Sequence, residues 1–192
     1  MTADPSNAKR ALRAELRERR RNLTTLERDT ATAAFTEHLI ELTTRLGARS
    51  VSAYLPNADE PNIRAYLNWA LEQDIKVLLP ISRDDGLLDW VVADGENEED
   101  GPFGWPEPVG DLLGPIAIND VDLIIVPGAA VDRSGMRMGW GRGYIDRTLG
   151  SMEKCPPVYA VIFDNEFIEA VPTELHDKPV NGVVTPSGVV TF

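Results

Sequence analysis

The run Val121-Asp-Leu-Ile-Ile-Val126 constrains this chain more than any other feature. A strand with one face to water alternates apolar and polar residues. A strand apolar on nearly every position has both faces covered, the habit of a central strand in a parallel sheet. Parallel neighbours cannot be joined by a tight hairpin and need a crossover, usually a helix. The run therefore commits the chain to strands alternating with helices.

The flanking sequence supplies that alternation. The four-residue spacing of Ala8, Leu12 and Leu16 predicts a helix over 7–22. A second helix starts from a Thr24 or Thr25 cap, runs through Ala33, Phe35 and Leu39 to about Leu46, and stops at Gly47. Val51–Leu55 reads as a strand, Asn57–Pro61 as a turn, Ile63–Glu72 as a helix and Lys76–Leu79 as a short strand closed by Pro80. Further strands are expected at Leu87–Val92 and Pro157–Phe163, and a hairpin around Pro186-Ser187-Gly188. The expected fold is α/β: a mostly parallel sheet sandwiched by helices in three layers (Rossmann-like), with a C-terminal β-hairpin. Residues 1–192 are expected to form a single domain, its N-terminal helices 7–46 packed on the α/β core.

Composition narrows the function. No segment approaches the ~20 apolar residues of a membrane span, and the N-terminus has no apolar signal region. A single cysteine, Cys155, allows no internal disulfide and, with two histidines, no cysteine–histidine zinc site. These features read as a soluble cytoplasmic protein. The net charge of −12 argues against nucleic acid as the main partner. Yet residues 1–30 hold eight basic and five acidic side chains. A basic start on an acidic body suits a small anionic ligand, although most of these arginines read as a solvated helix face.

The chemistry concentrates just beyond the apolar strand, where open α/β sheets bind ligands. Gly139, Gly141 and Gly143 alternate, letting backbone N–H groups approach a ligand closely. Arg137 and Arg142 flank them with guanidinium forks suited to phosphate. Tyr144 opens a helix running to about Leu149, and Asp146 in its first turn is placed to hold Mg²⁺. Each feature alone has an ordinary structural reading; together they read as a polyphosphate site. It is neither a P-loop nor a G-x-G-x-x-G dinucleotide motif. Between 93 and 115 the chain looks irregular. Its acidic run Glu96–Asp100 reads as a solvated loop, and F-G-W-P-E-P either lines a pocket or packs on the core.

The segment from Pro127-Gly128 through Val131-Asp132, Gly135, Arg137-Met138-Gly139, Gly141 and Gly143-Tyr144 to Asp146-Arg147 resembles the motif of the 5-formyltetrahydrofolate cyclo-ligases, or methenyltetrahydrofolate synthetases. The resemblance extends to K-R-A-L-R near the N-terminus, S-A-Y-L-P-N-A-D-E, F-G-W-P-E-P and P-T-E-L-H-D-K-P, covering roughly residues 8–190. It implies a ligase that uses ATP and Mg²⁺ to convert 5-formyltetrahydrofolate into 5,10-methenyltetrahydrofolate. From charge and hydropathy no nucleic-acid or membrane partner is expected, and the chain is expected to act as a monomer. The resemblance implies that Lys9, Arg10, Arg13, Arg137, Gly139, Trp140, Gly141, Arg142, Gly143, Tyr144 and Ile145 bind ATP. It implies folate contacts from Arg13, Leu55, Glu60, Trp105, Arg142 and Tyr144, metal ligation by Asp146 and Asp177, and catalytic roles for Arg137 and Arg142. His38 and His176 receive no catalytic role. Trp140, Ile145 and Asn181 depart from the family pattern, which often has arginine, an aromatic and aspartate there. Two rivals are a non-catalytic nucleotide- or folate-binding paralogue and a different enzyme on a similar scaffold.

Overall fold

The structure is a computed structural model describing residues 4–192. In chain order it contains α1 (Pro5–Arg21), α2 (Thr25–Arg45), β1 (Ser50–Ser52), α3 (Arg64–Glu72), β2 (Lys76–Ser82), β3 (Leu88–Val92), β4 (Glu98–Asp100), β5 (Pro106–Pro108), a 3-10 turn over Pro115–Asp120, β6 (Leu123–Pro127), β7 (Ala130–Asp132), β8 (Arg137–Met138), α4 (Tyr144–Gly150), β9 (Val158–Val161), β10 (Phe167–Ile168), β11 (Gly182–Thr185) and β12 (Gly188–Thr191). Asp4 caps α1 by accepting from Ser6 N–H, and Thr24 caps α2 by accepting from Glu27 N–H.

The main sheet has seven strands in the order β12-β11-β9-β6-β1-β2-β3. The run from β11 to β2 is parallel, and an antiparallel strand closes each edge: β12 beside β11, and β3 beside β2. The apolar strand β6 lies at the centre, as its composition requires. Its residues alternate between two cores. Leu123 and Ile125 face α2 and α3 with Val51, Val77 and Val161. Ile124 and Val126 face the opposite layer, made by the 3-10 turn and α4. A third cluster packs Leu12 and Leu16 of α1 on Ala129, Ala130 and Met138, beside the small sheet β10-β7-β8.

Two local expectations are revised. Pro80 does not close β2, which continues to Ser82. Proline has no N–H for a ladder, but its cross-strand partner Trp90 spends both backbone groups on Leu113, at 2.9 and 2.7 Å. Nothing is asked of Pro80, so the strand passes through it. The stretch 93–115 is not wholly irregular either, because β4 and β5 pair there. Its acidic run is exposed as expected, and Glu98 receives both terminal nitrogens of Arg64 at 3.0 Å.

The C-terminal hairpin depends on one missing side chain. Gly182 pairs with Tyr159 on one side and Thr191 on the other. The Tyr159 ring crosses over Gly182, and its hydroxyl meets Thr191 Oγ1 at 2.9 Å. A Cβ on Gly182 would come within 2.4 Å of the ring and 2.5 Å of the Val190 carbonyl oxygen. Gly182→Ala should therefore cost about 1–3 kcal/mol, read as a lower urea midpoint at unchanged slope.

Candidate active site

Strand order fixes where a ligand can enter. From β1 the chain crosses to β2 on one side, and from β6 it crosses to β9 on the other. A crevice opens at such a reversal, beyond the carboxyl ends of the two diverging strands. A cavity of about 600 Å³ occupies that place, with Ser52–Leu55 leaving β1 and Val126-Pro127 ending β6 in its wall. The expected site residues Leu55, Glu60, Trp105, Arg137, Gly139, Trp140, Arg142, Gly143, Tyr144 and Ile145 all line it.

Arg137 is buried, and its Nε donates to the Pro127 carbonyl at 2.7 Å. Its terminal nitrogens lie over Gly139, where a Cβ would meet Nη2 at 2.9 Å. Glycine at 139 thus makes room for the guanidinium. Burial pushes this guanidinium below its ordinary value, against the pull of Asp146 and Asp177. Gly141 and Gly143 hold φ of +104° and +75°, conformations costly for any other residue. Gly143 leads into α4, whose Asp146 accepts from Lys178 N–H at 3.1 Å.

Arg142 is exposed and stacks on the aromatic loop between β4 and β5. Its guanidinium carbon lies 3.9 Å from the Phe103 ring centre and 5.7 Å from that of Trp105. Phe103 also sits 6.1 Å from Tyr144, whose hydroxyl donates to the Arg83 carbonyl at 3.0 Å. F-G-W-P therefore does line the pocket, through Trp105, and Phe103 rests on Arg142. Across the cavity, Glu60 accepts from Asn57 N–H at 3.0 Å. Burial pushes its carboxyl up, opposed by that hydrogen bond and by Arg20 and Arg137.

A second group of expected residues gathers outside the cavity wall, along α1. Lys9 Nζ is buried and donates to Glu174 and Asp177, both at 2.6 Å. Burial alone would lower this ammonium; the two carboxylates win and raise it. Arg13 Nε donates to the Gly139 carbonyl at 2.7 Å, tying α1 to the glycine loop. Arg10 is exposed and makes no hydrogen bond or ion pair among the described residues. Glu174, His176 and Asp177 bring one ligand-capable atom each within 4.8 Å of one another; Asp146 is not in this group.

The family model for the 5-formyltetrahydrofolate cyclo-ligase family matches residues 5–186. The chain belongs to that family. It is 35% identical to the 5-formyltetrahydrofolate cyclo-ligase of Mycolicibacterium smegmatis over 191 residues, covering 96% of this chain and 97% of that one. It is 28% identical to that of Haemophilus influenzae, covering 88% and 92%. Among solved structures it resembles the Aquifex aeolicus 5,10-methenyltetrahydrofolate synthetase, with TM-score 0.79, 28% identity and coverage of 95% and 92%. The Mycoplasma pneumoniae 5,10-methenyltetrahydrofolate synthetase shares the fold, with TM-score 0.74 at 18% identity over 91% of this chain and 96% of that one.

Within this cyclo-ligase chain, Glu174 and the buried pair of Arg20 with Glu166 are residues of the site that the sequence did not single out. Glu174 and His176 lie close before Asp177, and that clustering was the available signal. Arg20 carried none, because its partner is 146 residues away.

The turn presenting Arg137 is held by Asp132. Its Oδ1 accepts from Ser134 N–H, Ser134 Oγ and Met136 N–H at 2.9, 2.6 and 3.1 Å, and its Oδ2 from Val171 N–H at 3.1 Å. Burial works to raise this carboxyl, but the four donors prevail and lower it from 3.8. A depressed carboxyl contributes stability above its unfolded value and loses it as pH falls through the folded one. Asp132→Asn should lower stability at pH 7 by about 1–3 kcal/mol. Its urea midpoint should also fall less steeply than wild type's below pH 3.8.

Proposed function

We propose that this protein converts 5-formyltetrahydrofolate and ATP into 5,10-methenyltetrahydrofolate, ADP and phosphate. The observation that carries the reading is one continuous wall, in a chain of this family. It joins a flat-ligand half (Leu55, Glu60, Trp105, Tyr144) to a half bearing unengaged cationic nitrogens (Arg137, Arg142). The reaction needs both halves to meet.

A formamide oxygen leaves poorly. Transfer of the γ-phosphoryl group to it makes phosphate the leaving group. The neighbouring N10 amine attacks the activated formyl carbon, loses its proton and closes the ring as phosphate departs. Such a transfer calls for positioning and charge neutralisation more than for a protein nucleophile. In this reading Arg137, fixed through Pro127, and Arg142, on its aromatic platform, offer donors to the phosphoryl oxygens. The backbone at Gly139, Gly141 and Gly143 lets the triphosphate approach, and Arg13 braces that loop. Lys9 borders the phosphate end. Tyr144 and Trp105 bound the flat ring, while Glu60 accepts from its N–H edge.

Lys9 takes one oxygen of each of Glu174 and Asp177; the oxygens it leaves, Oε1 and Oδ1, are hard donors of the kind that would hold Mg²⁺, with Asp146 near by through Lys178. When bound there it would supply charge neutralisation for the phosphates. We also take the protein to act as a monomer in the cytoplasm; its lone, exposed Cys155 is in keeping with a reducing compartment. Among the described residues no helix is long and apolar enough to cross a membrane.

The test is absorbance in the methenyltetrahydrofolate band, with purified protein, 5-formyltetrahydrofolate and Mg²⁺, with and without ATP. An ATP-dependent rise is expected. Arg142→Ala should cut turnover by about 10²–10³ with unchanged circular dichroism, since Arg142 is exposed and holds no core. Binding of both ligands without a rise would select the non-catalytic paralogue. Unchanged Arg142→Ala turnover would remove that residue from the mechanism.

A further inference from the structure

Arg20 is the buried charge on α1 that the reaction as described leaves idle. It is 2% exposed. Its Nε donates to Glu166 at 2.7 Å, and its Nη2 donates to Glu166 at 2.8 Å and to the Gly128 carbonyl at 2.7 Å. The Glu166 fork fixes the guanidinium in its plane. Trp140 and Phe163, with ring centres 4.8 and 5.4 Å away, flank it. One edge is left over. Nη1 makes no hydrogen bond among the described residues. Nor is it sealed in, because the buried side-chain polar atoms without a partner are Ser52 Oγ, Trp90 Nε1 and Thr148 Oγ1. Arg20 forms part of the wall of the 600 Å³ cavity.

Glu60 lines the same cavity. An ionised carboxylate only accepts hydrogen bonds, and a guanidinium only donates. The one cavity wall thus carries both an acceptor and a donor. A reduced pterin ring presents the complement: N–H donors next to a ring carbonyl at C4. Glu60 can serve the N–H groups but offers nothing to the carbonyl oxygen. We propose that Arg20 is a substrate-binding residue whose Nη1 donates to the C4 carbonyl oxygen of the pterin while Glu166 holds the guanidinium still. The inference rests on the folate reading above and names a contact within it.

The test compares 5-formyltetrahydrofolate with its 4-deoxo analogue, which loses the ring oxygen and with it the N3–H open to Glu60, by calorimetric titration, so that the change in preference on altering Arg20 isolates the oxygen contact. Wild type should prefer the oxo ligand by roughly tenfold or more. Arg20→Lys keeps the buried charge and its Glu166 partner but has no third edge to offer. It should weaken the oxo ligand roughly tenfold, leave the analogue within threefold, and leave the KM for ATP within twofold. The double variant Arg20→Met/Glu166→Leu, which strands no buried charge, should show the same narrowing. A merely structural Arg20 would weaken both ligands alike, and that result overturns the proposal. So does a wild type without preference, a measurement that requires no variant to fold. A wild type that binds neither ligand overturns the folate reading itself and this contact with it.

Discussion

Helix α1 buries two cations, Lys9 and Arg20, and the site is assembled around them. Lys9, Arg13, Arg17 and Arg20 recur every three or four residues, so they share a stripe of the helix. Each meets a different element: Glu174 and Asp177, the Gly139 carbonyl, the Trp140 ring, and Glu166 with Gly128. A buried ion pair gains little net stability, since desolvation offsets the attraction. Removing either partner is costly, however, because the other charge stays behind unpaired. The stripe therefore acts as a register device. If α1 slid by one turn, Lys9, Arg13 and Arg20 would lose their carboxylate or carbonyl partners together.

The sheet imposes the other condition. Because β1 and β6 are neighbours whose chains depart in opposite directions, no crossover helix covers the gap beyond their ends. That gap would be a solvent-filled cleft without α1 and the β4–β5 hairpin on its rim. The two covers differ in kind. The α1 side is pinned through buried charges. The hairpin side is joined to the glycine–arginine loop by aromatic stacking through Phe103 and Arg142, on exposed residues. Contacts of that sort are individually modest, near 0.5–1 kcal/mol at exposed sites.

The sequence made most of this legible where the signal was local. The apolar β6, the helical spacing of Ala8, Leu12 and Leu16, and the glycines after Pro127 all declare themselves within a dozen residues. The small sheet β10-β7-β8 does not, because strands of two or three residues are too short to show a period of two. Pro80 misled for a related reason. Whether a proline ends a strand depends on which backbone groups its partner has already committed, and Leu113 decides that from far along the chain. The buried arginine was hidden by its neighbours. In R-E-R-R-R nothing local separates Arg20 from the solvated Arg19 and Arg21; only the distant Glu166 does.

Trp140, a departure from the family pattern, follows from the same stripe. An arginine there would bring one more guanidinium to a wall that already holds Arg17, Arg20 and Arg137. That repulsion would fall on the charge pinned by Glu166. The indole instead turns its π-system to Arg17 and Arg20, at 5.2 and 4.8 Å, and that face attracts cations. Two guanidinium planes thereby gain a fixed surface to lie on, so the exchange favours orientation over charge. Orientation is what a reaction driven by positioning depends on.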